Sequence, residues 1–91
     1  MNEDDDQDDA YTEATLTAAI ENQLEADDPA AVRAVLNKLT LVGYPREESV
    51  QLMAQVMAWE ISAMLAADRP FDREAYEQAL RRLPELPESD A

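Results

Sequence analysis

One carboxylate stands where only apolar side chains are expected. Projected on a helix, Glu60 falls among Met53, Val56, Met57 and Met64, and a charge buried there without a partner is costly. A cation or donor must reach it, and Arg33, Arg46 or a tyrosine hydroxyl are the candidates. The chemical reading of Glu60 is a ligand-binding or catalytic group. The structural reading is half of an ion pair with an arginine of another helix, or an outward lean at the bundle edge, and it is favoured because one carboxylate alone does not make a site.

Glu21, Gln23 and Glu25 offer oxygens that could join Glu60. Helical carboxylate metal sites combine such glutamates with histidines, however, and the chain has no histidine. The Asp4-Asp5-Asp6 and Asp8-Asp9 runs lack the glycine and the twelfth-position glutamate of a calcium loop. Cysteine is absent too, which removes thiolate nucleophiles and the usual structural zinc sites. No catalytic, cofactor-binding or metal-ligating residue is assigned, and no enzyme activity is expected. Glu60 with Tyr44 or Tyr76 is the only constellation an enzyme could use, and no nucleophile or phosphate loop accompanies it. Leu52, Val56, Trp59 and Ala63, with Ala66, form a second stripe beside the first. It suits either packing on the fourth helix or contact with another chain, since tryptophan and methionine are favoured in association surfaces. Arg81 and Arg82, with Arg69 and Arg73 nearby, are the only local basic concentration.

Helices must position these groups. A single glycine, no alternating β-branched run and an interior rich in alanine, leucine, glutamate and glutamine favour helix throughout. Breaks at Asp27-Asp28-Pro29, Val42-Gly43-Tyr44-Pro45, Asp68-Arg69-Pro70 and Leu83-Pro84 divide the chain into helices at about 12–25, 29–42, 45–67 and 73–83. The first carries Leu16, Ile20 and Leu24 on one stripe. The second is expected to use Asp28 as N-cap with Pro29 at its first position, to bury Val32, Val35, Leu36, Leu39 and Val42, and to stop at Gly43. The third starts on Pro45, and its broad stripe of Val50, Met53, Met57, Ile61 and Met64 leaves only a polar strip near Gln51, Gln55 and Ser62, which makes it the central helix. The fourth has Asp72 as cap, Phe71 stapled on Tyr76, and a buried stripe of Tyr76, Ala79, Leu80 and Leu83. Arg81 and Arg82 suit its C-terminus. The expected fold is all-α, a small four-helix bundle or orthogonal helical array built around the third helix.

Ninety-one residues with a formal charge of −14 make one domain at most. The charge opposes direct binding to nucleic acid or an anionic membrane. Residues 1–10 hold six acids and no base, 85–91 hold three and no base, and 11–84 hold twelve acids against seven bases. Residues 1–10 are therefore expected to be a disordered acidic tail and 85–91 a flexible one, extended from Pro84 to Pro87 with Leu86 able to touch the bundle. The acidic start is the opposite of a cationic leader, and the cytoplasm is the expected location.

Val42-Gly43-Tyr44-Pro45-Arg46-Glu47-Glu48-Ser49 resembles the glycine-aromatic turn that joins two helices in ubiquitin-associated domains. The likeness covers these eight residues and does not extend to ubiquitin binding, because here the following helix runs on towards Ala67. Glu21-Asn22-Gln23-Leu24, Asp28-Pro29, Val32 with Leu36 and Leu39, and Gly43-Tyr44 with Arg46 and Glu48 together resemble a family of small uncharacterised bacterial all-helical proteins. That resemblance implies a bacterial cytosolic helical domain and no activity.

The function expected from these features is a non-enzymatic protein–protein interaction module, acting on a protein partner or as a homodimer, with no cofactor. The alternative is an acidic nucleic-acid mimic that inhibits a basic DNA- or RNA-binding protein.

Overall fold

The computed structural model describes residues 12–87, which form four helices and, among the described residues, no strand. These are α1 (Glu13–Ala26), α2 (Ala30–Leu41), α3 (Arg46–Ala67) and α4 (Arg73–Arg82), joined through residues 27–29, 42–45 and 68–72. Residues 1–10 lie outside the described residues, as do residues 88–91 of the second tail. The fold is all-α, as the propensities and breaks imply. α3 packs against each of the other three helices, and α2 also touches α1 and α4.

The inward stripes meet around α3. Ile20 and Leu24 of α1, Val32 and Leu39 of α2, Val50, Met53 and Val56 of α3, and Tyr76, Leu80 and Leu83 around α4 form one buried cluster. Val42 is a correction, being 63% exposed beside Leu41 at 85%. The reason is that α2 stops at Leu41, so Val42 is the C-cap and no longer follows the helical period.

The helix starts depart from expectation at both prolines. Pro29 and Pro45 are N-caps with extended backbone (ψ 156° and 154°), not first helical residues, and neither helix has a side-chain cap. The Asp28 carboxylate is instead bonded by Arg73 Nη2. At α4 the expectation holds: Asp72 Oδ1 accepts from the Ala75 N–H at 3.1 Å, and Phe71 meets Tyr76 edge-on at 5.4 Å between ring centroids. After Leu83 the chain is not simply extended. The Glu85 N–H donates to the Arg82 carbonyl, and Leu86 packs on the core.

Three helices end alike. At Asp27, Gly43 and Asp68 the backbone turns through positive φ (60°, 111° and 53°), and the N–H groups of that residue and the next bond back to the last turn, as in Asp68 to Leu65 and Arg69 to Met64. This is the Schellman motif, whose left-handed residue is usually glycine. An L-residue there costs about 1–2 kcal/mol, with aspartate among the better tolerated. Asp68 makes no ion pair among the described residues. Asp68→Gly is therefore expected to stabilise the fold by about 0.5–1 kcal/mol once the extra chain entropy of glycine is counted. A urea midpoint that falls would contradict this.

Candidate functional site

α3 runs through the centre with one side inward and one outward. After its first turn, the outward arc of about 160° carries Gln51, Leu52, Gln55, Ala58, Trp59, Ser62, Ala63, Leu65 and Ala66, all exposed or half-buried. None is charged. Leu65 is 60% exposed. In a chain with 31% charged residues and a formal charge of −14, a four-turn face without charge is the least expected surface, and charge depletion marks the centre of protein interfaces. By length and a mean hydropathy of 1.3 over its most apolar stretch the same helix would also suffice to cross a membrane; a third of that stretch is buried in the fold, and the charged Glu60 lies within the helix.

Trp59 stands at the centre of this face between two grooves. One, of about 590 Å³, runs along α3 past Gln55, Ala58, Ser62, Ala63 and Ala66 to Pro87. The other, of about 430 Å³, lies between Trp59 and the α4 side, walled by Ala75, Gln78, Ala79, Arg82 and Glu85 to Pro87. Alanine and serine at 58, 62 and 66 keep the floor of the first groove low because they recur every four residues on one face. Of the four residues expected to form a contact stripe, Leu52, Trp59 and Ala63 lie partly buried on this surface. Val56 does not, being fully buried in the core.

Carboxylates border the face. Glu47 and Glu48 sit in the first turn of α3, Asp68 caps its other end, Glu13 lines the surface where α1 meets Gln51 and Gln55, and Glu85 lies beyond Trp59. None of these five is in an ion pair among the described residues.

Glu60 is fully buried, and its partner is none of those expected. Its Oε2 accepts from Arg69 Nη1 and from the Asp72 backbone N–H, each at 2.9 Å. Arg69 Nη1 also donates to the Pro70 carbonyl at 2.9 Å. The 68–72 connection thus folds back over α3. In a capping box the third helical residue, a glutamate or glutamine, accepts from the N-cap N–H. Here that third residue is Ala75, and Glu60 takes the acceptor role from the preceding helix. The carboxylate orients the start of α4, leaving Oε1 buried with no hydrogen bond.

Arg33 bonds Asp27 at 3.3 Å and the Leu24 carbonyl at 2.6 Å, so it closes the end of α1. Arg46 grips Glu21 with two bonds of 2.7 and 2.9 Å. Arg46's hydrogen bonds hold the Glu21 carboxyl below its usual range, with burial opposing and the positive charge adding a smaller pull. Gln23 Oε1 accepts from the Tyr76 hydroxyl at 2.9 Å. Glu21 and Gln23 are therefore engaged separately from Glu60, and no trio of His, Cys, Asp or Glu among the described residues is arranged to hold a metal ion. The basic concentration is also dispersed. Arg69 serves Glu60, Arg73 serves Asp28 and Glu77, and Arg81 approaches Glu77. Arg82 is in no ion pair among the described residues and lines the groove with Glu85.

Comparison with family models, curated proteins and solved structures gave no match.

Proposed function

We propose that this chain is a non-enzymatic interaction module that docks another protein on the outward face of α3. The supporting observation is the coincidence, on one helix, of a charge-free four-turn surface, a partly buried tryptophan that packs on the core, and two grooves beside it. Aromatic anchors beside pockets, ringed by polar groups, are where association energy concentrates. The nucleic-acid-mimic reading has less behind it. Glu21, Asp27, Asp28, Glu60 and Glu77 are each bonded to an arginine, so these carboxylates are partly neutralised rather than displayed as a phosphate-like row.

A photo-crosslinking residue at Ser62, on the outward face, is expected to give a protein-sized adduct in the expressing cells. The same residue at Asn37, exposed on α2, should not. Equal labelling at both positions, or none at Ser62, would overturn the docking reading.

A further inference from the structure

We propose that the occupant of the α3 face is an amphipathic helix of a partner protein whose apolar stripe is bordered by lysines and arginines. This rests on the docking reading above and names its partner class. The face from Gln51 to Ala66 is about 22 Å long, the length of a four-turn helix. Its groove has a floor of Ala58, Ser62 and Ala66, which lets a second helix approach closely, and Trp59 forms its side. That is the helix-in-groove mode of recognition, in which apolar anchors recur at three- and four-residue spacing.

Charge selects among occupants. Glu13, Glu47, Glu48, Asp68 and Glu85 ring the face with no ion-pair partner among the described residues, against Arg82 on the α4 side and Arg46, already held by Glu21, beside Glu13 and Glu47. A helix with cationic borders meets these carboxylates on both flanks and at both ends, and complementary potential also speeds its encounter. A second copy of this chain brings the same acidic ring and the same formal charge of −14, so its approach to this face is repelled where the cationic helix is attracted.

Trp59 is the only tryptophan, and its emission reads the site directly in the full chain. The probes are three synthetic helical peptides without tryptophan that share one leucine-alanine face, with border positions all lysine, all glutamine or all glutamate. The lysine peptide is expected to shift Trp59 emission and saturate, with glutamine weaker and glutamate weakest. Raising salt should weaken the lysine peptide about tenfold or more while moving the glutamine peptide little. Ser62→Glu, at an exposed position in the groove floor, should weaken its affinity by about tenfold while the variant keeps the wild-type urea midpoint. A glutamate peptide that binds as tightly as the lysine peptide would overturn the cationic occupant while leaving the face in place. Lysine-peptide binding untouched by Ser62→Glu would overturn the face itself. Light scattering that shows a dimer lost in Ser62→Glu would make a second copy the occupant. An emission shift with phosphatidylcholine vesicles alone would make it a lipid surface. Each of the last two results overturns the proposal.

Discussion

Glu60→Ala is expected to lower the unfolding free energy by about 3–5 kcal/mol, the cost of removing one member of a buried ion pair together with its packing. A chain of this size has only about 5–10 kcal/mol of stability in total, so the variant will be largely unfolded in modest urea. Arg69→Ala tests the same pair from the other side. It strands a fully buried carboxylate with only the Asp72 N–H, and its cost should match that of Glu60→Ala although Arg69 is 35% exposed and buries far less surface. A surface arginine without this role would cost less than about 1 kcal/mol. Glu60→Met removes the need to desolvate a charge and fills most of the space, and Arg69 can turn to water, so it should be milder than the alanine variant. The Asp72 N–H then lacks its acceptor, and α4 should lose hydrogen-exchange protection in its first turn before the rest of the fold does. Urea unfolding of the three variants decides the matter. Arg69→Ala within about 0.5 kcal/mol of wild type would show that the Glu60 clamp is not what seats α4.

The position of Glu60 was legible in the sequence and its partner was not, for a definable reason. Helical period alone places residue 60 between Val56 and Met64 on the inward side. Arg69 reaches it only because Asp68 turns the chain through a left-handed residue and sends the connection back along α3, a path that composition does not specify. The Phe71–Tyr76 staple and the Asp72 cap were legible because cap and staple lie within five residues of one another. Glu21 with Arg46 and Gln23 with Tyr76 are separated by 25 and 53 residues, and such pairs are fixed by helix packing rather than by local pattern. Pro29 and Pro45 marked two helix starts to within a residue. Whether a proline is the cap or the first helical residue depends on its ψ, which residue type leaves open. The outward face of α3 shows the same limit. The row of uncharged residues is visible in the sequence, but Val56 separates from Leu52, Trp59 and Ala63 only when α1, α2 and α4 define which side is covered.

Tyr76→Ala is expected to be the other severe substitution, costing about 3–5 kcal/mol, as for other buried aromatics truncated to alanine. Tyr76 is 1% exposed, packs edge-on against Phe71 and bonds Gln23 across to α1, so the loss is felt at the α1 and α4 surfaces together. Tyr76→Phe isolates the hydroxyl and should cost about 1 kcal/mol, the usual net worth of a hydrogen bond whose partner is left behind. Burial pushes the Tyr76 phenol well above its ordinary range, and the nearby Glu77 charge adds to the rise. The folded chain therefore keeps this proton where the unfolded chain releases it. Its contribution is complete below about pH 10, the ordinary tyrosine value, and declines as pH rises from there towards the folded-state value. Phenylalanine has no proton to lose, so the deficit of Tyr76→Phe relative to wild type should be about 1 kcal/mol at pH 8 and should shrink or reverse above pH 10. Urea midpoints of the two proteins measured across that range give the answer. A deficit that stays constant would mean that the Tyr76 phenol ionises equally well in both states and that the seam between α1 and α4 admits water.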